Sequence, residues 1–445
     1  MARELNQVRA GPRSRKEMEY FDDNTYMYNY VSMKPSHFGM VAPIVVMGLA
    51  IAQSNAQVVG TPDEQIPQVL LDTARSNGGR YVAAIQGGGQ AQLTLSQSLQ
   101  GSVESYFKSH HFPFAAAAAI SIPDGKVLVL AGHSEADPSM GASELAVRPW
   151  APAASVFKVV AASALLEEGI SPLEKTCFHA GISRVEANNL IDIPMLDRSC
   201  GTLGFAIGKS QNAIIAKLAA KHLQPESLLR VAQAYGFGGA IPFNLTTEAS
   251  EIDVPDSPLE FARAAAGFWH SSLSVLHGAL IAATVANQGI MPMPRLVETA
   301  MNQQGLWIAP RKLPPRRVLD PAVAEALRKM MILTTSMGTA KHSFRDPKGR
   351  PTMPFEVAGK TGTLNYRGEE GDPSLPGSAM LPKDGFLGYS WFVGFAPANK
   401  PTIAFAVLVG NPAAWRIKAH AVARHLLAEY VAGNDTQSPH LFAQR

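Results

Sequence analysis

The spacing of apolar positions changes several times along the chain, and each change predicts an element. The first apolar block is FGMVAPIVVMGLAIA, residues 38–52, inside a stretch from Pro35 to Gln53 that holds no Asp, Glu, Lys or Arg. Residues 57–90 then turn polar and end in GGGQ, the composition of a linker. Next, AAAAAISI and KVLVLAG flank Asp124-Gly125, two runs of β-forming residues around a turn signal, which predicts a β-hairpin. A segment apolar on most faces runs from near Ser155 to Gly169 and predicts a buried helix. IGKSQNAIIAKLAAKHL and SLSVLHGALIAATVANQG carry further helical patterns. FEVAGKTGTL, SWFVGFAP and TIAFAVLVGN read as strands, and WRIKAHAVARHLLAEYVAG as an amphipathic last helix. Strands at both ends of the region with helices between them imply an α+β (α/β layered) fold, one sheet with an inserted helical region. No internal repeat is visible.

Composition narrows the function classes. At 445 residues, 46% hydrophobic and 17% charged, the chain has ample material for a core. A net charge of +3, with no basic run interleaved with aromatics, argues against nucleic acid as a partner. The apolar block follows Met33-Lys34 and ends at Ser54 and Ala56, which have the small-x-small spacing of a signal cleavage site. Residues 33–56 are therefore expected to be a secretory signal, with an uncleaved inner-membrane anchor as the alternative. Residues 1–32 are then a cytosolic tail or the product of a start codon placed too early. There are two cysteines, Cys177 and Cys200. In an exported chain such an isolated pair favours a disulfide, with two reduced thiols as the alternative. No C-x-x-C or H-E-x-x-H occurs, so no metal site is expected.

The candidate chemistry begins with Ser155 and Lys158, an S-x-x-K. Positions i and i+3 share a helix face, so the amine can reach the hydroxyl. Ser105 and Lys108 have the same spacing, but lie inside a polar helical stretch, where no free backbone donor flanks the serine. Ser155 instead sits at an expected helix start, where unpaired N–H groups favour developing negative charge. Downstream stand Ser210-Gln211-Asn212, an S-x-N, and Lys360-Thr361-Gly362-Thr363, a K-T-G-T inside a strand candidate. Neither pattern occurs elsewhere in the chain.

In this order the three motifs resemble the active-site serine enzymes that recognise penicillin, namely penicillin-binding transpeptidases and serine β-lactamases. TLSQSLQGSVESYF, AYGFGGAIPFNL, MGTAKHSF and WFVGFAPANKPTIAFAVLV extend the resemblance to a penicillin-binding transpeptidase domain over residues 91–432, leaving 433–445 as a tail. The resemblance implies a sheet with flanking helices, no cofactor, and acyl transfer from peptidoglycan stem peptides, with β-lactams as covalent inhibitors. It implies Ser155 as nucleophile, Lys158 as base, Ser210 as proton relay and Asn212 as holder of the substrate amide. Lys360, Thr361 and Thr363 would surround the terminal carboxylate, and Gly362 would let a ligand approach the strand. Peptide transfer, hydrolysis by a carboxypeptidase and β-lactam hydrolysis share this constellation. No E-x-x-L-N follows the S-x-N, although Glu248 and Glu251 lie in that interval, which lowers the β-lactamase reading. A non-catalytic penicillin sensor is a fourth alternative. The segment 368–385, between K-T-G-T and the next strand, is expected to be a Gly/Pro-rich loop over the site.

Overall fold

The computed structural model describes residues 67–308, 310–367, 386–412 and 417–437. The tail at 1–32, the signal or anchor at 33–56 and the loop at 368–385 lie outside the described residues. Among the described residues, no helix is long and apolar enough to cross a membrane.

One antiparallel sheet organises the domain. Its order is Ala358–Arg367, Phe386–Ala396, Ile403–Asn411, Phe114–Ser121, Val127–Ser134, so late strands join early ones where Val407 faces Ala117. The alanine run explains itself in this position. Phe114, Ala116, Ala118 and Ile120 enter one core, while Ala115, Ala117 and Ala119 enter the core on the opposite face. A strand covered on both sides reads as a continuous apolar run instead of an alternating one. Helices Gln97–Ser109 and Ala419–Gln437 supply Val103, Phe107, Leu426 and Leu427 to one core. Helix Val275–Ala286, buried along its whole length, packs on the other face. There a Cβ on Gly278 would stand 3.2 Å from the Ala406 Cβ, so its absence lets the helix sit close on the sheet.

The expected hairpin around Asp124-Gly125, the three late strands and the terminal helix are all present. Three boundaries differ. The expected linker is not one in its second half: Val69–Asn77, Arg80–Ile85 and Gln90–Leu93 are strands, which build a second sheet with Val297–Met301 and Trp307–Ile308. The glycines that suggested a linker are hairpin turns; Gly78, Gly79, Gly87, Gly88 and Gly89 all have positive φ. The segment around Ser210 forms two helices, Leu203–Gly208 and Asn212–His222, because Ser210 adopts a φ of 56° between them. The last helix runs to Gln437, past the expected boundary at 432.

Candidate active site

Ser155 does not open the long helix. It lies in a 3-10 turn, Ala154–Phe157, and the helix Lys158–Glu167 starts with the lysine. Side chains at i and i+3 eclipse in a 3-10 turn, which sets Lys158 directly over Ser155. The turn is strained and held: Ala154 has a φ of 48°, uncommon for a residue with a Cβ. Gly267 presses on it so closely that a Cβ there would stand 2.2 Å from the Ala154 oxygen. Trp391, from the central sheet, donates its indole N–H to the Pro152 oxygen at 2.9 Å.

Lys158 is 0% exposed, and its amine has three neighbours. They are Ser155 Oγ at 2.7 Å, Asn212 Oδ1 at 2.6 Å and the Ala266 oxygen at 2.6 Å. The last two only accept, so they take two N–H bonds. Burial, reinforced by the nearby Lys360, lowers the Lys158 pKa well below the ordinary lysine value. In the neutral amine the remaining position is a lone pair, and it faces the Ser155 hydroxyl. Asn212 is fixed at its other end, where Nδ2 donates to the Ile182 oxygen at 2.5 Å. Asn212 thus lines the cleft with its carbonyl end on Lys158.

The strand Ala358–Arg367 alternates its side chains. Thr361 and Thr363 line the cleft with Ser155, Ser210 and Asn212; the cleft volume is about 650 Å³. Lys360 points beneath it, 0% exposed, and donates to Ser210 Oγ and to the Thr361 oxygen, both at 2.8 Å. Burial lowers its pKa to about 7. Lys360 thus meets the cleft through Ser210. Gly362 also differs from expectation: a Cβ there would meet Trp391 Cβ at 3.0 Å and Val156 Cγ2 at 3.3 Å, so it makes room for the nucleophile turn. Ser105 and Lys108 are exposed on the helix Gln97–Ser109, away from the cleft.

Sequence reasoning missed the Ala266 carbonyl, Ile182 and Thr339. Thr339, in MGTAKHSF, shares a hydrogen bond with the Thr361 hydroxyl. Ile182 is carried by the loop that follows Cys177. Cys177 faces Cys200 across the short hairpin Lys175–Phe178/Ser199–Thr202, and the two are bridged. Within this loop Asp197 accepts from Lys217 at 2.8 Å and pairs with His179. Burial opposes ionisation of Asp197, yet these bonds hold its carboxyl well below the usual carboxylate range.

The family profile described as "Penicillin binding protein transpeptidase domain" matches residues 115–428. The chain belongs to this family. Among curated relatives, the peptidoglycan D,D-transpeptidase PbpA of Mycobacterium tuberculosis is 26% identical over 327 residues, covering 67% of this chain and 62% of the relative. The penicillin-binding protein PbpB of Mycolicibacterium smegmatis is 24% identical over 349 residues, covering 73% and 51%. The chain therefore spans under two thirds of the length of either relative. In fold, the domain is similar to the crystal structure of PBPA from M. tuberculosis, with a TM-score of 0.61, 23% identity and coverage of 77% and 83%. The imipenem acyl-enzyme complex of that protein gives 0.62, 24%, 77% and 80%.

Proposed function

We propose that this protein is a D,D-transpeptidase that acts on peptidoglycan stem peptides through a Ser155 acyl-enzyme and is acylated by penicillin. The observation that carries the reading is Lys158: two of its amine positions are bonded to acceptors and the third faces Ser155 Oγ at 2.7 Å. Ser155 Oγ attacks the carbonyl carbon of the penultimate D-alanine while its proton passes to Lys158 Nζ. The backbone N–H groups of Ser155 and Thr363 receive the oxyanion. Collapse breaks the C–N bond, and the departing D-alanine amine takes a proton through Ser210, which accepts a hydrogen bond from Lys360. An acceptor amine then attacks the ester and restores the serine. With penicillin the same attack opens the lactam and leaves the acyl group on Ser155. The strand Ala358–Arg367 lies at the edge of its sheet, which suits an extended donor peptide that adds main-chain hydrogen bonds. Thr361, Thr363 and Thr339, which line the cleft, would bind its terminal carboxylate.

Transfer is favoured over β-lactam hydrolysis by the two acidic residues that follow the S-x-N. Neither Glu248 nor Glu251 lines the cleft, and Glu248 is paired with Arg148 at 2.8 Å. The signal-like segment and the bridged cysteines support export to the periplasm or the outer face of the cytoplasmic membrane, with Cys177–Cys200 oxidised there. The test is the product profile of purified protein with a donor stem peptide and an acceptor amine. Cross-linked product is expected; hydrolysed donor alone would make it a carboxypeptidase.

A further inference from the structure

The cleft carries charge of one sign. Lys209, Lys341 and Lys418 line it, and no aspartate or glutamate is among the described residues that do. The fold gathers the first two at one contact. Gly338 packs so closely on Gly208 that a Cβ would stand 1.9 Å from the Gly208 oxygen, to which the Thr339 N–H donates at 3.1 Å. Lys209 follows Gly208, and Lys341 follows Thr339 by two residues. The Thr339 hydroxyl in turn meets that of Thr361 at 2.5 Å. Lys418 precedes the last helix where the Ala419 N–H donates to Ser390 Oγ, and Ser390 faces Thr363 across the sheet. Burial, with Lys418 and His342 near, lowers the His420 pKa to about 4, so that ring adds no charge. Lys209 and Lys341 are exposed, and neither has an ion pair among the described residues. The acids that follow Lys341 are engaged elsewhere: Asp346 pairs with Arg350, and Glu356 with Arg345. A concave site lined by one sign of charge concentrates groups of the other sign.

This charge bears on the second half of the reaction, and the inference rests on the transpeptidase reading above. Attack of an amine on the Ser155 ester is the reverse of the step that expelled the first amine. The incoming nitrogen therefore enters where the departing one left, at Ser210, the neighbour of Lys209. It forms the C–N bond while the C–Oγ bond breaks; a nitrogen proton leaves through Ser210, and Ser155 Oγ regains one from Lys158. We infer that the acceptor is an amino-acid amine with a free carboxylate on the carbon beside the attacking nitrogen, and that Lys209 and Lys341 select it. An isolated side-chain amine arrives as an ammonium ion, which these lysines repel. An amino acid brings its carboxylate as well, so the same charges hold it and turn its nitrogen toward the ester. Like charges nearby also disfavour the ammonium form, which cannot attack.

The test reads how one acyl-enzyme divides between acceptors. A D-alanyl thioester acylates the whole protein, and product analysis gives the ratio of aminolysis to hydrolysis with D-alanine, D-alaninamide or ethylamine. Differences in donor binding cancel in this ratio, because every product comes from the same Ser155 ester. D-alaninamide is a less basic amine than D-alanine, so more of it is unprotonated at neutral pH. A preference for D-alanine therefore has to come from binding. D-alanine should be favoured about tenfold over both other amines, the weight of two partly screened ion pairs. The preference should shrink several-fold between about 0.05 M and about 0.5 M salt, which a carboxylate held by threonine hydroxyls alone would not do. Lys209→Gln and Lys341→Gln should each lower it about threefold, and Lys341→Glu should remove it. Lys348→Gln, on an exposed turn outside the cleft, should leave it in place. Equal use of D-alanine and D-alaninamide by wild type, a preference indifferent to salt, or one that survives Lys209→Gln and Lys341→Gln combined would overturn the inference. Aminolysis by none of the three amines, with hydrolysis intact, would overturn the transpeptidase reading and the inference with it. Aminolysis without preference overturns the inference alone.

Discussion

Asn212 Oδ1 accepts a hydrogen bond from Lys158 Nζ at 2.6 Å, and the same side chain is anchored through Nδ2 to the Ile182 oxygen. A neutral amide is the group this position requires, because a carboxylate beside Lys158 would hold the amine protonated.

Asn212→Asp changes almost nothing in shape and adds that charge. Acylation by a chromogenic β-lactam should fall by roughly 10²–10⁴-fold at neutral pH, the usual weight of a general base. The low-pH limb of its rate profile should move to higher pH. A profile with an unshifted limb would mean that Lys158 does not act as the base.

Lys360 gives a stability prediction whose sign can be worked out. Burial lowers its folded pKa to about 7, from an ordinary value of 10.5 in the unfolded chain. Between those values the unfolded state binds more protons, so this group makes stability rise with pH across that window and levels off below it. Thermal melts from pH 7 to 10 should show wild-type protein gaining stability relative to Lys360→Met. Parallel curves would contradict a depressed pKa.

Ser210 and Lys360 act as one unit in this account, joined by a 2.8 Å hydrogen bond. Ser210→Ala and Lys360→Ala should each slow acylation, and the double variant should be no slower than the worse single one. Additive losses, measured as second-order acylation rates, would separate their roles.

Replacing Cys177 and Cys200 together by serine should lower stability by about 3 kcal/mol, the chain-entropy value for a loop of this size. Denaturant unfolding under non-reducing conditions reads the loss directly. Because the bridge ties down the loop that carries Ile182, slower acylation should accompany it.

Much of this was legible in the chain. The sheet strands announce themselves through unbroken apolar runs, and S-x-x-K, S-x-N and K-T-G-T name the side chains that meet at the cleft. What could not be read is which side chains reach the cleft and which lie under it. Alternation on a strand puts Lys360 and Thr361 on opposite sides, but not which side is wet. The left-handed φ values at Ala154 and Ser210 leave no mark on hydrophobic periodicity, so a 3-10 turn and a broken helix passed for continuous helices. The hairpins of Val69–Leu93 were hidden for another reason. Their first strand is mostly exposed, and glycine-rich turns have the composition of a linker.

The central claim is that Ser155 alone becomes acylated. Intact-protein mass spectrometry after incubation with penicillin G tests it, on wild type, Ser155→Ala and Ser105→Ala. The account predicts one adduct on wild type and on Ser105→Ala and none on Ser155→Ala. An adduct that persists on folded Ser155→Ala would contradict it.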